Sequence, residues 1–200
     1  MTITITADQV RQLREQTGAG MMECKKALSE SGGDFQKAID ALRKSGIAKA
    51  EKRGERAASE GVVDSYIHPG NRVGVLVEVN CETDFVARTD EFKELVRNIA
   101  MQAAAAGADY LRREEVPAER IAKEREIFAA QLAQEGKPAQ MIDKIVDGKV
   151  NKFYSEICLL EQPYIKDDKI KVQELVTQAA ARTGENIQVR RFVRFRLGQD

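Results

Sequence analysis

Two rhythms of hydrophobic positions divide this chain. Apolar residues recur every three or four positions over residues 7–42 and again over 92–183, the period of amphipathic helices. Over 61–81 and 186–197 they alternate, the period of half-buried strands. Near the start, Thr6 and Gln9 stand at the spacing of a capping box ahead of Val10 and Leu13, and Gly18 is placed to end that first helix. A second helix is predicted from about residue 21 to 31, ending at Gly32 and Gly33. A third begins on Asp34 as N-cap. It carries Phe35, Ala38, Ile39 and Leu42 at i, i+3, i+4 and i+7, and Gly46 is expected to close it. Residues 47–59 are charged and rich in alanine, which predicts an exposed helical linker. Its bases Lys49, Lys52, Arg53 and Arg56 outnumber the acids Glu51 and Glu55, and that excess reads either as a solvated helix face or as an RNA-contacting patch.

The alternating runs on either side of "HPGN" predict a hairpin, with Val73, Val75, Val77, Val79 and Cys81 sharing the core face. Far along the chain, Ile187, Val189, Val193, Phe195 and Leu197 alternate with polar residues, Arg191 being the exception. The three runs predict one antiparallel sheet. Helices fill the interval. Phe92, Leu95, Ile99 and Ala103 line one; Ile121, Phe128 and Leu132 line another that starts at Pro117. "EGKP" breaks the chain before a return helix carrying Ile142, Val146, Val150, Phe153 and Ile157, weakened at Gly148, so residues 117–159 form a helical hairpin. "QPYIKDDKIKV" reads as a loop, followed by a last helix over 172–183 that Gly184 stops. The pattern is α+β: a three-helix module over 1–46, a charged helical linker over 47–60, and a core over 61–200 with a small, about three-stranded antiparallel sheet packed by helices.

Composition narrows the function. Hydrophobic residues make up 42 % of the 200, enough for a real core. Lys plus Arg and Asp plus Glu both number 32, a balance that argues against a protein whose main work is holding nucleic acid. No apolar run approaches the roughly 20 residues that span a bilayer, and the start of the chain shows neither a basic n-region nor a long apolar h-region, so no signal peptide is expected. Three scattered cysteines without a CxxC point to a reducing cytoplasm. His68 is the single histidine, and no phosphate-cradling glycine motif occurs. The expectation is therefore no metal, no cofactor and no enzymatic chemistry.

Two features ask for more than a structural role. Met21 and Met22 are adjacent, so on a helix they point about 100° apart. One can enter a small core or both can face a partner. In "VNCETDFVAR", Thr83 is a plausible N-cap and Asp84 suits a first turn, which puts Phe85 at the leading end. That ring either folds back onto the sheet or is presented to another protein.

At these residues a resemblance enters. "LREQTGAGMMECKKAL" followed by "VEVNCETDFVAR" resembles bacterial elongation factor Ts, and "SYIHPGNRVGVLV", "EGKPAQMIDKIVDGKVNKFYSEICLLEQPYI" and "VRRFVRFRLG" extend the likeness over nearly the whole chain. The resemblance implies a guanine-nucleotide exchange factor that binds elongation factor Tu, GDP-bound and nucleotide-free, and promotes GDP release. It implies that the N-terminal helices are a ubiquitin-associated-like module docking on the nucleotide-binding domain of Tu through Arg14, Met21 and Met22. Residues Thr83, Asp84, Phe85 and Val86 match the intruding element, with Asp84 and Phe85 entering near the Mg²⁺-phosphate region. His68 matches a secondary contact to another domain of Tu, and the helical hairpin is expected to project from the core. "TDFV" follows the "HPGNRVGVLV" hairpin directly, as in the short form of the family. Short forms are expected to form homodimers, in which His68 can act from the second subunit. Neither a membrane nor nucleic acid is required on this reading. The alternative is an RNA-binding accessory module of the translation machinery, resting on the bases in 49–56 and 190–196.

Overall fold

The computed structural model describes residues 5–199. Its first helices are α1 (Ala7–Thr17), α2 (Met21–Glu30) and α3 (Phe35–Arg53). The capping box at the entry forms in both directions. The Gln9 N–H donates to Thr6 Oγ1 at 3.3 Å, and the Thr6 N–H donates to Gln9 Oε1 at 2.9 Å. Gly18 ends α1 in the left-handed conformation, φ 68°, with its N–H on the Arg14 carbonyl at 2.8 Å. Val10, Leu13, Cys24, Ala27, Leu28 and Ala38 are buried together, with Phe35, Ile39 and Leu42 packed around them. Each fully buried leucine there contributes about 2 kcal/mol.

Gly46 does not end the third helix. α3 continues through it to Arg53, so residues 47–53 are further turns of the same helix. A Cβ at Gly46 would lie 3.1 Å from the Cβ of Ala181. The glycine permits a close approach rather than marking a stop, and nothing in the neighbouring sequence signals a contact that distant.

Next come β1 (Glu60–Ile67) and β2 (Val73–Cys81), joined by the expected turn. There the His68 N–H donates to the Val73 carbonyl at 2.9 Å, and Asn71 takes the left-handed conformation at φ 55°. A single helical turn, α4 (Asp84–Ala87), precedes α5 (Asp90–Ala106), whose Phe92, Leu95, Ile99 and Ala103 are all buried. The helical hairpin is α6 (Ala118–Gln134) and α7 (Ala139–Ile157). Leu132, Val146 and Val150 form its buried seam, with Phe128 and Ile142 beside them. Gly148 is no interruption: α7 runs through it with that position exposed.

The stretch read as a loop after α7 contains a small second sheet. β3 (Pro163–Tyr164) pairs antiparallel with β4 (Asp167–Lys171). Two residues of strand are too few for an alternating pattern to show. α8 (Val172–Thr183) and β5 (Gln188–Arg196) complete the chain, and Gly184 stops α8 at φ 76°. The main sheet is antiparallel in the order β1-β2-β5.

On β2 the predicted face is the buried one: Val75, Val77, Val79 and Cys81 are all 2 % exposed or less. β5 departs from expectation. Ile187 and Val189 are buried, but Val193, Phe195 and Leu197 are exposed. Arg191 donates to Glu78 at 2.7 Å, and Glu78 alternates opposite to Val77 and Val79. The inward parity therefore changes between Val189 and Arg191. Phe192 is then half-buried, and Arg194 pairs with Asp109 at 3.6 Å. One outer sheet face is left carrying exposed Val63, Ile67, Leu76, Val193, Phe195 and Leu197.

The chain groups into two compact units. One holds the residues up to Gly61 with Asn80–Phe92 and Val176–Gln188; the other holds Val62–Val79, Lys93–Leu175 and the residues from Val189 onward.

Candidate partner-binding site

The Phe85 turn starts where β2 runs out. Cys81 is fully buried, and its thiol donates to the Thr83 carbonyl at 3.1 Å. Burial, reinforced by the Glu185 carboxylate, pushes this thiol up to about 11. It therefore stays protonated near neutral pH and serves as a donor, not a nucleophile. Thr83 caps α4 as its sequence position predicts, with the Val86 N–H donating to Thr83 Oγ1 at 3.4 Å. The turn closes through the Ala87 N–H on the Thr83 carbonyl and the Arg88 N–H on the Asp84 carbonyl, both at 3.2 Å.

Helical geometry then sorts the four side chains. Ala87 is buried and Val86 half-buried, while Phe85 points outward and is 80 % exposed. The ring does not fold back onto the sheet. Asp84 pairs with Arg88 one turn on, at 2.7 Å. Both groups are substantially exposed, so this pair is weakly held and can exchange partners.

The turn is fastened from the far end of the chain. Glu185 Oε2 accepts from the backbone N–H groups of Glu82 and Thr83, at 3.0 and 3.1 Å, and its Oε1 accepts from the Thr83 hydroxyl at 2.6 Å. Asn186 lies alongside, 3 % exposed. Its N–H donates to Glu82 Oε1 at 2.6 Å, and its amide donates to the carbonyls of Gly54 and Arg56 at 3.2 and 2.7 Å. Reading the sequence missed both residues. Their one signal is a polar pair set between a helix-stopping glycine and an apolar strand, and Gly184 alone accounted for that position.

In the N-terminal three-helix module neither methionine enters the core. Cys24, Ala27 and Leu28 take the inward stripe of α2, which leaves Met21 45 % and Met22 76 % exposed. Arg14 is exposed on α1. Gly20, the N-cap of α2, offers no side-chain cap. Glu23, in the first turn, instead forms an ion pair with Lys49 of α3, which holds its carboxyl below the usual range.

His68 is exposed on the β1–β2 turn, with Nδ1 3.2 Å from the Tyr66 hydroxyl. The structure thus places Arg14, Met21, Met22 and Thr83 to Val86 in one compact unit and His68 in the other. Among the bases considered for RNA, Lys49 is paired with Glu23, Arg56 with Glu82, Arg191 with Glu78 and Arg194 with Asp109. No helix among the described residues is long and apolar enough to cross a membrane.

A family model described as elongation factor TS matches residues 7–199. Elongation factor Ts of Heliobacterium modesticaldum is 59 % identical over 195 residues, covering 98 % of this chain and 91 % of that protein. The Carboxydothermus hydrogenoformans protein of the same name is 60 % identical over 195 residues, covering 98 % and 90 %. That of Anaeromyxobacter sp. strain Fw109-5 is also 60 % identical over 195 residues, covering 98 % and 89 %. The chain belongs to the elongation factor Ts family of translation elongation factors.

Proposed function

We propose that this protein is a guanine-nucleotide exchange factor for elongation factor Tu in the cytoplasm, and that Phe85 is its wedge. The observation that carries the reading is the ring itself, 80 % exposed on a turn whose backbone is tied down on both sides. A large aromatic in that condition has everything an interface anchor needs except the partner.

The mechanism requires no bond-making residue. Ts binds Tu, nucleotide binds Tu, and each weakens the other by the same factor. Phe85 fills an apolar slot available only when the helices around the Mg²⁺-phosphate region have shifted. Burying the ring contributes about 2–3 kcal/mol to that open state alone. Asp84 enters beside it, releasing Arg88 to solvent and placing negative charge near the phosphates. Arg14, Met21 and Met22 supply affinity that does not itself open the site, and the flexible methionines suit a groove on the nucleotide-binding domain.

The partners include a second copy of this chain. The exposed sheet face of Val63, Ile67, Leu76, Val193, Phe195 and Leu197 is apolar and carries the Glu78–Arg191 pair, which can be exchanged across a two-fold axis. On this reading His68 contacts Tu from the second subunit.

Release of labelled GDP from Tu, with and without this protein, tests the exchange activity, and a mass measurement in solution tests the dimer. Catalytic acceleration of release at substoichiometric protein supports the reading. An unchanged release rate overturns it.

A further inference from the structure

α4 cannot hold itself. Four residues form one turn, and a single turn is far below the length at which a helix is stable alone. Its most apolar side chain, Phe85, contributes nothing to its own anchorage because it faces solvent. What fixes the turn is a carboxylate more than 100 residues further along: Glu185 accepts three hydrogen bonds, two from backbone N–H groups and one from the Thr83 hydroxyl. These are charge-assisted bonds, stronger than neutral ones.

The Thr83 hydroxyl is used twice, donating to Glu185 and accepting from the Val86 N–H. The cap of α4 and the Glu185 clamp are therefore one chain of bonds. Asn186 extends that chain to the carbonyls of Gly54 and Arg56, where the backbone leaves α3. A two-residue segment after α8 thus binds both the turn that carries Phe85 and the exit of the docking module's last helix, all inside one compact unit.

We infer that Glu185 is the positioning residue of the exchange element. It holds the Phe85 turn in its delivering conformation before Tu arrives, so that no ordering cost is charged against the open state. The inference rests on the wedge reading above. A glutamine is nearly isosteric but uncharged: with its carbonyl on the two backbone N–H groups its NH₂ meets the Thr83 hydroxyl, which must turn round to accept, and the charge assistance of all three bonds is lost.

The test is a cycle of Glu185→Gln, Phe85→Ala and the double variant in the full chain, read as GDP release from Tu. Glu185→Gln is expected to lower the maximal release rate by about tenfold, the scale of one charge-assisted bond. It should leave the protein concentration at half-maximal effect within about twofold, because the docking module is untouched. In the Phe85→Ala background the same change should have no further effect, since a positioning residue acts only through the group it positions. Hydrogen exchange in the free protein supplies a readout independent of activity: the Glu82 and Thr83 amides lose protection in Glu185→Gln while those of α1 to α3 keep theirs.

A wild-type release rate in Glu185→Gln alongside a slow Phe85→Ala overturns the inference and spares the wedge. A full multiplicative loss in the double variant also overturns it, by revealing a general structural role. A wild-type rate in Phe85→Ala removes the wedge and this inference together. Should Glu185→Gln not fold, Thr83→Val replaces it: valine removes the hydroxyl shared by Glu185 and the Val86 N–H, release is expected to slow about tenfold and the Glu82 amide to lose protection, and a wild-type rate overturns the inference.

Discussion

Two places in this molecule push large apolar side chains into solvent, and they are built on opposite plans. At the start of α2, Met21 and Met22 stand on a ten-residue helix anchored by packing. Cys24, Ala27 and Leu28 lie buried beneath it, and its leading end has no side-chain cap. At α4, Phe85 stands on four residues with a single buried side chain, Ala87, and the anchorage is polar and directional. The first plan fixes the helix and leaves the tips adaptable, since methionine has three rotatable bonds. The second fixes the tip's own backbone beneath a ring of only two rotatable bonds. The difference suits the two tasks proposed for these groups. A docking anchor gains from conforming to its groove. A group that must tell two states of a partner apart cannot yield, because any movement of its own would absorb the energy meant to separate those states.

The largest effect that can break this comparison comes from Phe85→Ala. Losing about 2–3 kcal/mol of burial confined to the open state should lower the maximal rate of GDP release from Tu by roughly 30-fold or more. Half-maximal concentration should move far less. Met21→Ala combined with Met22→Ala should do the reverse, raising the half-maximal concentration by about tenfold with the maximal rate nearly kept, as loss of uniform binding predicts. Concentration series of GDP release for the two variants, at matched folded content, separate the outcomes. If both shift the same parameter by the same factor, the two apolar tips share one task and the contrast fails.

How far these sites could be read without coordinates follows the same division. Whatever is decided within a few residues was legible: the Thr6–Gln9 box, the left-handed stop at Gly18, the inward valines of β2 and the Thr83 cap all formed as spacing predicts. What distant partners decide was not. Gly46 looked like an ending because its reason, Ala181, lies in another helix. The parity change on β5 falls at Arg191, the one polar residue in an otherwise apolar stripe, and its meaning is visible only once Arg191 is seen against Glu78. Helical angles showed that Met21 and Met22 could not easily both be buried. That neither is buried depends on which stripe of α2 wins the core. Local sequence set Phe85 just inside a cap but could not choose between a ring folded back and one held out, because the clamp comes from Glu185.

A smaller effect sharpens the contrast from the α2 side. The Glu23–Lys49 pair is a polar tie at the leading end of α2, the nearest counterpart there to the Glu185 clamp. Lys49 holds the Glu23 carboxyl below its ordinary value, so the folded state binds a proton there less readily than the unfolded chain. A depressed carboxyl stabilises the fold above the unfolded pKa, and that share is lost as pH falls through the folded one. The two side chains are 47 % and 48 % exposed, so solvent screens the pair and its contribution is below about 1 kcal/mol. Lys49→Met should therefore cost a few tenths of a kcal/mol near neutral pH and progressively less as pH falls through the lowered pKa of Glu23, by denaturant titrations across a descending pH series. Its half-maximal concentration for Tu should stay within about twofold of wild type, because packing under α2, not this tie, sets where the methionines stand. A Lys49→Met protein that docked as poorly as the double methionine variant would mean that this end, too, is held by its polar bond, and the two plans would be one.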